Sequence, residues 1–162
     1  DIGTGSGCIA IALAKFSNAS ISAIDISQNC LKVAKENAIL NNVKVVFIHQ
    51  DILQTKTLPK VNLIVSNPPY VLNSEKERMQ ENVLAYEPHS ALFVTDKNPL
   101  IFYKQIANLA TESLTSGGKL FFEINEQFGD ELIVILTQSG FVDIELKKDI
   151  NDRDRMIKAI WK

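Results

Sequence analysis

The stretch VNLIVSNPPY, residues 61–70, ends a run of strand-forming aliphatics in an asparagine, two prolines and a tyrosine. Proline has no N–H, so Pro68 and Pro69 cannot extend a sheet ladder, and their fixed φ stiffens the turn. The Pro68 carbonyl is thereby free to accept a hydrogen bond, and Asn67 brings a second acceptor in its side-chain oxygen. Two acceptors in one rigid turn can hold a planar –NH2 by both hydrogens and aim its nitrogen at an electrophile. Tyr70 adds a ring face for stacking on the planar group. An amide or aromatic amine is a poor nucleophile because its lone pair is delocalised, and a geometry that favours a partly pyramidal nitrogen restores some of it. No strong base is required, since the nitrogen becomes acidic only as its new bond forms. Positioning alone can supply up to roughly 7–11 kcal/mol of such a barrier.

A second constellation opens the chain. In Asp1-Ile2-Gly3-Thr4-Gly5-Ser6-Gly7 three glycines alternate with other residues. Such spacing lets a backbone turn tightly and approach a ligand where any Cβ would collide. A GxGxxG dinucleotide fingerprint needs glycine at position 8, where Cys8 stands. Asp25 follows Gly5 by twenty residues, a spacing suited to accepting both hydroxyls of an adenosine ribose. That acid would serve NAD and S-adenosylmethionine equally. Asp51 can accept from an adenine amino group with Ile52 packed on the ring face, although a purely structural role suits Asp51 nearly as well.

The elements that must position these residues follow from the hydrophobic pattern. A helical density of small and aliphatic residues runs from Ser6 to Phe16, and residues 20–25 read as a short strand ending in Asp25. Ser27 can cap a helix that stops at Asn41-Asn42. Residues 44–49 and 62–66 form further strands, the latter continuously apolar as buried parallel strands are. Residues 71–98 are polar and irregular, a length that marks a functional loop. Asn98-Pro99 can start a helix reaching about Thr115, Ser116-Gly117-Gly118 is a turn, and KLFFEIN a strand. A helix from Asp130 to Ser139 closes at Gly140. Two last strands, about 141–147 and 155–161, pair as a hairpin around Asn151-Asp152. Strand and helix alternate for most of the length, which predicts an α/β fold with a parallel sheet covered on both faces. In such sheets ligands bind beyond the carboxyl ends of the strands, where the glycine loop, Asp25, Asp51 and Asn67 all fall.

Composition narrows the classes. A chain of 162 residues, 46% hydrophobic and 22% charged, is one ordinary globular domain. A net charge of −2 provides no overall basic field for a phosphate backbone, so direct nucleic-acid binding is not expected. The longest apolar run, CIAIALA at 8–14, is far below the roughly 20 residues that span a bilayer, and no membrane association is expected. The two cysteines, Cys8 and Cys30, form no CxxC pair and there is no His cluster. They read as small core residues with reduced thiols in a cytosolic compartment, with no metal site.

DIGTGSG, AIDIS, VSNPPY, YEPHSAL and KDINDRDRMI together resemble the catalytic domain of the release-factor glutamine methyltransferases, over essentially the whole chain. NPPY alone is shared by amino-methyltransferases acting on DNA and ribosomal RNA, while the EPHSAL and DRDR segments narrow it. The resemblance implies a class I S-adenosylmethionine-dependent methyltransferase fold, Rossmann-like, with a mostly parallel seven-stranded sheet and a C-terminal antiparallel hairpin. It implies S-adenosylmethionine as cofactor, the GGQ loop of peptide-chain release factors as partner and a cytoplasmic setting. By position it puts Gly3, Thr4, Gly5, Ser6 and Gly7 along the methionine part of the donor, Asp25 at the ribose and Ile52 at the adenine. Asn67, Pro68, Pro69 and Tyr70 would hold the substrate glutamine, and Glu87 and Pro88 would belong to a loop beside the pocket. The alternatives are a ribosomal-protein glutamine or nucleic-acid amino methyltransferase, or an inactive donor-binding fragment. The chain reads as part of a longer polypeptide, a catalytic domain over 1–162 without most of its first strand and without an N-terminal helical docking domain. It departs from the family's pattern after Ala91-Leu92, where a glycine-rich turn is usual, and at Asn125, where glycine is usual; neither departure is expected to touch the chemistry.

Outside these motifs, His49 reads as a satisfied, partly buried histidine, His89 as exposed, and Trp161 as core. Lys147, Lys148, Arg153 and Arg155 are interleaved with Asp149, Asp152 and Asp154, which cancel most of their field.

Overall fold

Ile2 pairs in parallel with Ile24 on one side and with Ser66 on the other, and the sheet around the glycine loop is organised about it. The computed structural model describes residues 1–78 and 93–162. They group into two compact units, Asp1–Lys56 with Val65–Asn67, and Thr57–Ile64 with Pro68–Lys162.

The first unit contains helix α1 (Cys8–Phe16), strand β1 (Ser22–Asp25), helix α2 (Gln28–Leu40), strand β2 (Val46–His49) and a 3-10 turn at Ile52–Gln54. β1 and β2 are parallel, with Ser22 opposite Val46 and Asp25 opposite His49. The Ile2 N–H donates to the Val65 carbonyl at 2.9 Å, and the Ile24 N–H to the Asp1 carbonyl at 2.8 Å. The Ser66 hydroxyl, itself buried, donates to the Ile2 carbonyl at 2.7 Å. α2 buries Leu31, Ala34 and Ala38, one face at helical spacing. Its first turn is capped as expected, the Ser27 hydroxyl accepting from Cys30 N–H at 3.2 Å. α1 begins at Cys8, two residues after the predicted start, because Gly7 has φ +86°, a left-handed conformation that a helix interior cannot hold. Neither cysteine is core: Cys8 is exposed and Cys30 half-buried.

Strand β3 (Val61–Ser66) begins in the second unit and ends in the first. The second unit continues with β4 (Val71–Leu72), a 3-10 segment at Asn73–Arg78, β5 (Phe93–Val94), α3 (Ile101–Ser113), β6 (Leu114–Glu123), a 3-10 turn at Glu126–Phe128, α4 (Gly129–Gln138), β7 (Phe141–Lys148) and β8 (Asp154–Trp161). The strands lie in the order β3-β6-β8-β7, and β8 runs antiparallel to both of its neighbours. The predicted hairpin is therefore present, and Asp149 builds its turn. One Asp149 oxygen accepts from the Asn151 and Arg153 N–H groups, at 2.8 and 3.1 Å.

Two expectations change. Residues 71–98 are not irregular throughout, since β4 and β5 pair in parallel with Val71 opposite Phe93 and Leu72 opposite Val94; two-residue apolar pairs are too short to register as a pattern. Strand β6 starts at Leu114, ahead of the predicted turn, and the turn survives inside it at Gly117, φ +76°. The core of this unit is apolar and tightly aromatic: the Tyr103 and Phe122 rings meet edge to face at 5.1 Å, a favoured arrangement. Trp161 is half-buried, packed against Phe141 at 5.2 Å between centroids. Among the described residues no helix is long and apolar enough to cross a membrane.

Candidate active site

The glycine loop leaves β-type pairing at Ile2 and enters α1 within six residues, and all three glycines have positive φ: +72° at Gly3, +56° at Gly5 and +86° at Gly7. Their surroundings differ. An ideal Cβ on Gly7 would lie 3.0 Å from the Ala34 Cβ and 3.1 Å from the Ile11 Cδ1, so Gly7 serves the packing of α1 on α2. A Cβ on Gly5 would meet nothing within 4 Å, and one on Gly3 would come no closer than 3.8 Å to the Asn67 carbonyl oxygen. Open space therefore lies beside the first two glycines, while the third is occupied by helix packing. Of their neighbours, Thr4 is buried and Ser6 exposed.

Carboxylates pin the loop at both ends. One Asp25 oxygen accepts from the Gly5 N–H at 2.8 Å and the other from the Ser27 N–H at 2.8 Å. A carboxylate offers about four lone-pair sites, so Asp25 keeps acceptor capacity after bracing the loop. Asp1, to which sequence reading gave no role, accepts through Oδ2 from the Thr4 hydroxyl at 2.6 Å and the Ala10 N–H at 3.1 Å. Its Oδ1 is buried and has no hydrogen-bond partner among the described residues. A buried acceptor without a donor is costly. The signal available in the sequence was an acid directly ahead of a glycine loop.

Asp51 caps the 3-10 turn after β2, its carboxylate accepting from the Leu53 N–H at 2.9 Å, and Ile52 is buried. The structural role weighed for Asp51 is thus filled. His49 is exposed rather than partly buried. Its Nε2 lies 2.8 Å from the Ile26 carbonyl; a carbonyl only accepts, so that nitrogen carries the proton and Nδ1 faces the Gln28 amide at 3.4 Å. Asn67, the last residue of the first unit, is exposed.

In the second unit, Pro68 is buried and Pro69 and Tyr70 are half-buried. Tyr70 is held at both ends. Its hydroxyl donates to the Glu123 carboxylate at 2.8 Å, and its carbonyl accepts from the Asn125 side-chain amide at 3.2 Å. Burial first, then the hydrogen bond and negative charge of Glu123, push the phenol up to about 12. The O–H therefore stays a donor across the physiological range. Around this pair, the Tyr103 hydroxyl donates to the Glu123 carbonyl at 3.0 Å, and Arg155 donates to the Ile124 carbonyl at 3.2 Å. From the sequence, Glu123 has no assigned role and Asn125 is not expected to touch the chemistry, whereas the structure places both against Tyr70. The overlooked signal was a polar pair two residues apart at the end of a buried strand.

Glu87, with Pro88 and His89, lies outside the described residues. Of the interleaved acids, Asp152 lies 3.1 Å from Lys148 and Asp149 3.4 Å from Arg155, whereas Arg153 pairs with Glu126 at 3.5 Å and Glu145 takes Lys147 at 3.5 Å and Lys158 at 2.6 Å.

Residues 1–92, which include the glycine loop, Asp25 and Asn67–Tyr70, match the model of the methyltransferase small domain. The chain belongs to the methyltransferase small domain family. Among curated members it is 54% identical over 161 residues to the release factor glutamine methyltransferase of Flavobacterium psychrophilum, covering 98% of this chain and 56% of the relative. The corresponding protein of Bacteroides thetaiotaomicron is 44% identical over 162 residues, covering 98% of this chain and 58% of the relative. The chain thus spans little more than half the length of these relatives. Among solved structures, N-methyltransferase NodS from Bradyrhizobium japonicum, in complex with S-adenosyl-L-homocysteine, aligns with a TM-score of 0.62 at 17% identity, covering 98% of this chain and 74% of that one. The α/β fold of this family member is therefore that of the S-adenosylmethionine-dependent methyltransferases.

Proposed function

We propose that this chain is the catalytic domain, over residues 1–162, of an enzyme that transfers a methyl group from S-adenosylmethionine to the side-chain amide nitrogen of a glutamine. The substrate is the GGQ loop of a peptide-chain release factor, which sets the reaction in the cytoplasm. The observation that carries the reading is the 54% identity, across 98% of the chain, to a release factor glutamine methyltransferase; this chain carries Asn67-Pro68-Pro69-Tyr70.

The residues of the first unit fit the donor. Gly3 and Gly5 leave open space where side chains would stand, and Asp25 retains acceptor capacity for ribose hydroxyls beside them. The unpartnered Asp1 Oδ1 offers a nearby acceptor for an ammonium-bearing tail. Thr4, Ser6 and Gly7 complete the loop, with Asp51 and Ile52 at the end of β2. When bound, S-adenosylmethionine would supply an electrophilic methyl carbon: its bond to sulfur breaks with the pair staying on sulfur, the amide nitrogen forms the new bond, and the proton this makes acidic leaves to water.

Asn67 and the Pro68 carbonyl then accept the two amide hydrogens, and Tyr70 stacks on the planar amide. None of these groups is a strong base; their contribution is to hold the nitrogen in line, the term that dominates when the nucleophile is weak. Pro69 keeps the turn rigid, and Glu87 is assigned to the same substrate. The test uses the full-length protein, purified release factor and methyl-labelled donor. Label on the GGQ glutamine, lost when that glutamine is replaced by alanine, is the expected result. Label absent, or on another residue class, would overturn the reading.

A further inference from the structure

Tyr70 is fastened by two residues that flank Ile124 at the end of β6. Glu123 takes its hydroxyl at 2.8 Å and Asn125 takes its carbonyl at 3.2 Å. The Asn125 amide nitrogen also donates to Glu75 Oε2 at 3.1 Å, and that same oxygen accepts from the Leu72 N–H at 2.9 Å. The other Glu75 oxygen accepts from the Gln127 side chain at 2.7 Å. Asn125 Oδ1 accepts from the Gln127 N–H at 3.0 Å. Both amide protons and the carbonyl of one side chain, only 6% exposed, are thus committed to the segment Tyr70–Glu75 and the turn after β6. The backbone of Ile124 is itself fixed, its N–H donating to the Arg155 carbonyl at 2.9 Å.

We propose that Asn125 is a positioning residue for methyl transfer: with Glu75 it clamps the backbone of Tyr70 and Leu72, so that the Pro68 carbonyl and the Tyr70 ring keep the orientation the acceptor amide requires. The inference rests on the reading of Asn67–Tyr70 as the acceptor site. Its chemistry is specific. A carboxamide can donate to the Tyr70 carbonyl and the Glu75 carboxylate while accepting from Gln127. An isosteric carboxylate would turn an acceptor toward two acceptors, one of them charged, and glycine would leave all three bonds unmade. Buried networks of this kind lose most when only partly satisfied. None of these contacts involves the glycine loop or Asp25, so the clamp bears on the acceptor and not on the donor.

The experiment compares Asn125→Gly and Asn125→Asp with wild type in the full-length protein. It reads donor Kd by calorimetry, then kcat and KM for release factor with methyl-labelled donor. The expected result is a fall in kcat of about 10- to 100-fold, the scale of a small misplacement of reacting groups, with donor Kd close to wild type, a Tm lowered by the unmade buried hydrogen bonds but still above the assay temperature, and Asn125→Asp no better than Asn125→Gly. Were Asn125→Gly to unfold, the isosteric Asn125→Asp and a Glu75→Gln variant would carry the test; Glu75→Gln should lose about threefold to tenfold in kcat, since its hydrogen bonds are no longer charge-assisted. A folded Asn125→Asp or Asn125→Gly enzyme with wild-type kcat would overturn the clamp. Wild-type protein that binds donor yet methylates no glutamine would overturn instead the acceptor reading beneath it, so the two failures are distinguishable.

Discussion

In the proposed function single side chains would divide the work between donor and acceptor, and substitution should separate the two. Asn67 is exposed at the end of β3 and has no part in bracing the glycine loop. Asn67→Ala should therefore abolish turnover while leaving donor affinity nearly intact in calorimetry. Asp25 holds Gly5 and Ser27, so Asp25→Ala should weaken donor binding first; equal loss of binding in both variants would contradict these roles. Tyr70 gives a pH signature. Its pKa is raised from 10.0 to about 12 by burial and Glu123, so the folded state holds the phenolic proton more tightly than the unfolded chain does. The stability this contributes is complete below pH 10 and is lost as pH rises through 12. Ultraviolet titration of tyrosinate in wild type minus Tyr70→Phe should show one late transition near pH 12. A transition at pH 10 would mean that the Glu123 hydrogen bond is absent in solution.

At the scale of elements, the loop between Ile2 and α1 shows why three similar glycines are not equivalent. All three have positive φ, which strains any L side chain by about 1–2 kcal/mol. Gly5 faces open space, whereas Gly7 faces the α2 backbone and the Ala34 side chain. Gly5→Ala should cost little beyond that strain in urea unfolding while sharply reducing donor affinity. Gly7→Ala should lower stability by roughly 2–4 kcal/mol, because strain and overpacking between α1 and α2 add. A reversed order would assign the ligand space to the wrong glycine. The pattern Asp1–Gly7 was plain in the sequence, but the division of labour was not, since it depends on where Ala34 of a different helix sits. In the same way the cap at Ser27 and the hairpin turn at Asn151-Asp152 were legible from local residues, while the β4–β5 pairing was not. Its partners are two residues long and twenty-two apart, and nothing in either marks the other.

At the scale of the whole molecule, the net charge is −2, and ligand binding is the property that reports on the fold as a unit. Donor binding to the folded chain alone should raise its stability by mass action, about 2.7 kcal/mol at a hundredfold excess over Kd. For a chain of this size that corresponds to a Tm increase of roughly 5–10 °C, measurable by scanning calorimetry. S-adenosyl-L-homocysteine should produce a comparable shift, because in the proposed site the Gly3–Gly5 space and Asp25 would address parts common to both molecules. No shift with either adenosyl ligand would remove the donor assignment.

The sequence by itself determined the α/β alternation, the glycine loop, the acid that ends the strand at residues 20–25 and the rigid Asn67–Tyr70 turn, because each is written in neighbouring residues. Periodicity, proline's missing N–H and glycine's missing Cβ are local properties that need no knowledge of distant chain. Only the tertiary structure decided which glycines leave open space, that Asp1 keeps a buried oxygen without a partner among the described residues, and that Glu123 and Asn125 grip the two ends of Tyr70. The grip on Tyr70 depends on distances between residues tens of positions apart, 53 for Tyr70 and Glu123 and 55 for Tyr70 and Asn125. Hydrogen bonds across such separations are fixed by how strands and loops pack, and no local pattern encodes them.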